Sequence, residues 1–152
     1  MSDAPEFDTA AAHEYFAAHC FNRAWDLIDK EERTPQDDLL MVALNQASIY
    51  HWLERADCDD RRLSVGYWQA WRIQAVLGNA GEARRHAETC LSFSEALPPF
   101  YLGYAYEALA RAATLAGDRK ASASHLARAK DLAAQVEDEE ERDALLGDLA
   151  DL

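Results

Sequence analysis

The dipeptide Gly78-Asn79 returns as Gly117-Asp118 thirty-nine residues later, and the residues around it return with it. In this register Ala83 stands opposite Ser122, His86 opposite His125, Ala87 opposite Leu126 and Cys90 opposite Ala129. Glycine takes the left-handed backbone conformation that ends a helix, and an Asn or Asp after it can cap the next. The register therefore predicts two helical hairpins of one pattern, clearest over 62–97 and 99–135. Small residues at matched positions let the paired helices approach closely.

The remaining sequence keeps the same rhythm, with helix breakers about every 15 to 20 residues and no sustained strand-like alternation. Thr9 is the expected cap of a first helix running towards Lys30, either continuous or broken near His19 to Asn22. Thr34, Pro35, Asp37 and Asp38 form the clearest helix start in the chain, and that second helix is expected to reach about Arg55. A third helix is predicted from about Arg62 to Leu77, a fourth from Gly81-Glu82 to the Pro98-Pro99 stop, a fifth to Ala116 and a sixth to about Gln135. Segment 137–152 opens on a dense acidic run and carries Leu145, Leu149 and Leu152 on one face, as a terminal capping helix would. The fold expected is all-α: six or seven antiparallel helices, stacked as hairpins, in one domain over 1–152.

Tyr106, Leu109, Ala110, Gly117 and Asp118, followed by Ser122, Leu126 and Ala129, form a pattern that resembles the tetratricopeptide repeat family. The earlier copy matches through Tyr67, Ala70, Gly78, Ala83 and Cys90, but carries Trp71 where the family prefers a small residue and Gln74 where it prefers an aromatic one. The strings NQASIYHW and AWRIQAVLGNAGEARRHAETCL also look like an uncharacterised bacterial group of such proteins. The resemblance implies a short stack of helical hairpins that holds a protein or peptide on a concave face. It implies no enzymatic activity.

Composition narrows the partners. Fifteen Lys and Arg against 28 Asp and Glu leave a formal net charge of -13, which opposes nucleic acid or an anionic membrane as the main partner. No stretch approaches the roughly 18 to 20 apolar residues that span a bilayer. The acidic start MSDAPEFDTAAAHEYFAAHC lacks the basic region of a signal peptide, and three widely spaced cysteines form no disulfide framework, so a cytoplasmic location is expected.

The candidate site is an aromatic and polar cluster. NQASIYHWLER supplies Asn45, Tyr50, His51 and Trp52; YWQAWR supplies Trp68, Trp71 and Arg72; Tyr101 and Tyr104 follow on the fifth helix. Indole faces beside guanidinium and imidazole groups suit a peptide carboxylate or a flat ligand. The same tryptophans could instead lock neighbouring hairpins together while the arginines reach water. His13 and His19 lie six apart, on different faces of one helix, which leaves His51 as the histidine of interest. No metal-ligand spacing, nucleophile elbow or phosphate loop is present, Cys90 reads as a small core filler, and neither a catalytic residue nor a cofactor is expected. The expected role is a protein- or peptide-binding helical repeat module. The alternatives are a small-ligand binder or enzyme with a pocket between helices two and three, and a structural homo-oligomer, such as a homodimer joined through the terminal leucines.

Overall fold

The computed structural model describes Ala4 and residues 6–152, and among them it holds seven α-helices and no strand. They are α1 (Thr9–Ile28), α2 (Pro35–Leu53), α3 (Asp60–Val76), α4 (Ala80–Ser94), α5 (Pro99–Leu115), α6 (Arg119–Ala133) and α7 (Glu139–Leu149). None of them is long and apolar enough to cross a membrane. The sequence reading of the N-terminus rests partly on residues 1–3 and 5, which lie outside the described residues.

Where the sequence suggested one domain, the helices group into two compact units, Met1–Asp59 and Asp60–Leu152. The physical reason lies in the junction: Ala56, Asp57 and Asp59 are exposed and bring no large apolar side chain to bury.

The first unit is the antiparallel hairpin of α1 and α2. The α1 cap is Asp8 rather than Thr9, its carboxylate accepting from the Ala11 amide at 3.0 Å, and the helix is continuous through His19 to Asn22. An ionised oxygen one residue earlier satisfies a first-turn amide better than a hydroxyl would. Thr34 caps α2 as expected: its hydroxyl accepts from the Asp37 amide, and the Asp37 carboxylate accepts from the Thr34 amide. The helices close over Cys20, Ala24 and Leu44, and the Ser48 hydroxyl donates to the Ala17 carbonyl at 2.7 Å.

In the second unit the 39-residue register is physical. α3 and α5 are each 17 residues long, α4 and α6 each 15, and every boundary of one hairpin recurs thirty-nine residues on. Gly78 and Gly117 both have φ of 78°. Behind each, the Asn79 and Asp118 amides donate to Gln74 and Ala113 carbonyls, both at 2.9 Å, closing the same left-handed stop. His86 faces Tyr67 with ring centroids 6.1 Å apart, and His125 faces Tyr106 at 6.0 Å. The matched histidines thus occupy equivalent packing positions.

Helices α3 and α4 pack on each other and both pack on α5; α5 and α6 pack on each other and both pack on α7. α7 therefore stands to the second hairpin as α5 stands to the first. One core is formed by Trp71, Ala83, Ala87, Ala108, Leu109 and Ala112, the next by Ala129, Ala133, Val136, Leu145 and Leu149. Alanine at most of these positions brings the helices close enough for the large residues to fill the space between them. Leu145 and Leu149 are buried inside this unit, packed with Ala129, Ala133 and Val136.

Candidate functional site

The predicted residues divide between the two units. Asn45, Tyr50, His51 and Trp52 belong to the first; Trp68, Trp71, Arg72, Tyr101 and Tyr104 belong to the second. No one unit holds them all, and each group has its own surroundings.

Two of the nine are core residues. Trp71, only 1% exposed, fills the centre of the α3–α5 core, and its indole N–H meets no acceptor. Asn45 is buried and accepts from the Gln46 amide group at 3.0 Å. A bulky indole at a close three-helix contact is removed from water by the packing itself, which excludes Trp71 from a binding surface. Arg72 is exposed, whereas Tyr101 is half-buried beside Phe100.

Trp68 and Tyr104 belong to a polar network that ties α3, α5 and α7 together. The Trp68 indole N–H donates to Glu107 Oε2 at 3.1 Å, and Arg111 Nε donates to Glu107 Oε1 at 2.6 Å. Arg111 also donates to the Asp148 carbonyl and, at 2.7 Å, to Asp151, while the Tyr104 hydroxyl donates to Asp148 at 2.6 Å. Glu107 is 2% exposed, and burial pushes its carboxyl up against the opposing pull of Arg111 and the Trp68 indole. Arg111, with a smaller effect from Arg72, holds the Asp151 carboxyl below its usual range. These bonds join α3 to α5 and α5 to the end of α7.

The exposed aromatic surface lies on the first unit and draws four of its six rings, His13, Tyr15, Phe16 and His19, from residues the sequence reading did not select. Tyr15 is 58% exposed, Tyr50 54% and Phe16 41%. Ring contacts connect them into one patch: Tyr15 packs on Phe16 at 5.0 Å and stacks on His19 at 4.9 Å, Phe16 stacks on His51 at 5.5 Å, and His13 meets both Tyr50 at 5.9 Å and His51 at 5.1 Å. His13 and His19 project on different sides of α1, as six-residue spacing requires, but Phe16 and His51 bridge them into the same surface. The Nδ1 atoms of His13 and His51 are 2.8 Å apart. That contact is a hydrogen bond only while at least one ring is neutral. Burial and the neighbouring His13 lower the His51 pKa, which favours the neutral ring at neutral pH.

Trp52 lies under Arg55, whose guanidinium carbon is 4.0 Å from the ring centroid. Arg55 is anchored by two bonds to Asp57, at 2.8 and 2.7 Å, and reaches the Glu14 carbonyl. Beside the patch an open cleft of about 340 Å³ is lined by His13, Glu14, Glu54, Arg55 and Asp57. The i, i+3 and i, i+4 spacing of His13, Phe16, Tyr15 and His19 signals an aromatic face on α1; only the tertiary pairing with α2 makes it one surface with Tyr50 and His51.

Chemically the patch can stack, accept a cation on its ring faces and exchange a proton at imidazole. Among the described residues no group of three or more His, Cys, Asp or Glu could hold a metal ion. Cys90 is buried under Ser64 and Ser94, and burial pushes its thiol up to about 11, far from the reactive thiolate. No protein-family model, curated protein or solved structure matches this chain.

Proposed function

We propose that the chain is a helical repeat module of the tetratricopeptide-like kind that binds a protein or peptide partner, with the aromatic and histidine surface of α1 and α2 as its point of contact. The observation that carries this reading is the run of six connected rings, of which Tyr15 and Tyr50 are more than half exposed and Phe16 partly so. Exposed aromatic residues held rigidly by a helical hairpin lose little entropy on association and supply the large contacts that dominate interface energy. The repeated hairpins of the second unit support the family likeness through their shared 39-residue register and left-handed glycines. Three free cysteines agree with residence in a reducing cytoplasm.

The test is affinity capture with the full chain and with a Tyr15→Ala, Tyr50→Ala double variant. A stoichiometric protein retained by the first and lost by the second, with helicity unchanged by circular dichroism, is the expected result. Retention of the same protein by both would remove the contact from this surface. Loss on Arg72→Ala instead would move it to the second unit.

A further inference from the structure

The net charge of the chain is concentrated in the unit that carries the patch. Residues 1–59 contain thirteen Asp and Glu but only four Lys and Arg, so this unit carries most of the net charge of -13. Three of those four cations are already paired: Lys30 with Asp37 at 2.6 Å, Arg33 with Asp38 at 2.9 Å and Arg55 with Asp57 at 2.7 Å. Glu14 and Glu54, at the edge of the cleft, carry exposed side chains with no ion pair among the described residues. The close contact between His13 and His51 limits those two rings to one positive charge between them while the hydrogen bond holds.

An aromatic ring presents a negative face that attracts ammonium and guanidinium groups, and the Arg55 guanidinium over Trp52 shows that arrangement on this same hairpin. We propose that the patch receives a basic segment of the partner, seating lysine or arginine side chains on the faces of Tyr15, Phe16 and Tyr50 with Glu14 and Glu54 at their edge. This rests on the binding-module reading and names the chemistry of its partner. An acidic segment would meet the excess negative charge of this unit and the unpaired Glu14 and Glu54 beside the patch, whereas a basic one is drawn in by them.

Fluorescence anisotropy with the full chain tests the inference on three short labelled peptides, in which Gly and Ser alternate with Lys and Arg, with Gln, or with Glu. The basic peptide is expected to bind, and the Tyr15→Ala, Tyr50→Ala variant to weaken it about tenfold. Tyr15→Phe with Tyr50→Phe keeps the rings and should keep the affinity. Glu14→Gln with Glu54→Gln should weaken it about threefold at low salt, with the difference fading at physiological salt. The inference is overturned if the basic peptide fails to bind, if it binds the double alanine variant equally well, or if the Gln or Glu peptide binds as tightly. A dimer in sedimentation that the alanine variant dissociates would also overturn it, by showing a second copy on the patch. A natural partner captured through Tyr15 and Tyr50 by an acidic or uncharged segment would remove the basic chemistry and leave the module; a natural partner held independently of both rings would remove the proposed surface altogether.

Discussion

Glu107 is the most constrained charge in the second unit. It is buried, and it accepts from Trp68 on one oxygen and from Arg111 on the other. Arg111 keeps Asp151 and the Asp148 carbonyl, so the main loss is the buried acceptor of the Trp68 indole: Glu107→Ala should lower stability by about 2 kcal/mol in urea unfolding. Glu107→Gln, which still offers Trp68 an oxygen, should cost less. His86 makes a second prediction. Its ring is buried and its Nδ1 has no partner; burial, with Arg85 adding repulsion, lowers its pKa against the weaker attraction of Glu82. As pH falls through the unfolded value of about 6.5, the unfolded chain takes the proton first, so this group's contribution to stability is complete above that pH and is lost below it. The fall in melting temperature between about pH 7.5 and pH 5.5 should therefore shrink in His86→Gln. Glu107, shifted upward, works in the opposite direction, which is why the difference between wild type and variant is the quantity to measure.

Individual side chains also mark where reading the sequence reached its limit. Trp68, Trp71 and Arg72 stand close together in sequence, yet one is bonded to Glu107, one is core and one is in water. Helical spacing assigns a residue to a face but does not say which neighbour covers that face. The partner of Trp68 lies thirty-nine residues away, and so its role was not legible. Likewise Tyr50 and His51 were identifiable as unusual, whereas His13, Tyr15, Phe16 and His19 gained their significance only through the contact of α1 with α2.

At the scale of elements, the helix starts and stops were largely legible because they rest on local chemistry. Thr34-Pro35, Gly78, Pro98-Pro99 and Gly117 each impose a backbone conformation within a few residues, and the observed boundaries follow them closely. The seventh helix is different. Eleven residues are too few for an isolated helix to be stable, and α7 is held by Leu145, Leu149 and the Arg111 and Tyr104 bonds to its far end. Its amides should exchange with deuterium fastest among the helices of the second unit. Gly103 governs its seat: a Cβ added there would lie 2.6 Å from Leu145 Cδ2, inside a filled core. Gly103→Val should lift α7, exposing its amides while leaving those of α3 and α4 protected, which hydrogen exchange resolves helix by helix.

For the whole molecule, the division at Asp59 and the uneven charge make separable predictions. A chain of residues 60–152 contains both matched hairpins and their cap, so it should remain helical alone, with Trp71 still shielded from a fluorescence quencher. The full chain, at a net charge of -13, should gain thermal stability with added salt as carboxylate repulsion is screened. Division into two units was not legible as such, because the acidic stretch at the junction is as consistent with a turn inside one stack as with a boundary.

The register shared by α3 with α5 and α4 with α6 brings one more consequence, because α7 begins one residue past the place where the next copy of a first helix would start. Length in this unit comes in steps. A duplicated segment 60–98 placed before Pro99 would present α5 with the same kind of surface it already meets, whereas an insertion of half that length would set the wrong faces against each other. α7 thus stands where the first helix of a further step would stand, cut from seventeen residues to eleven.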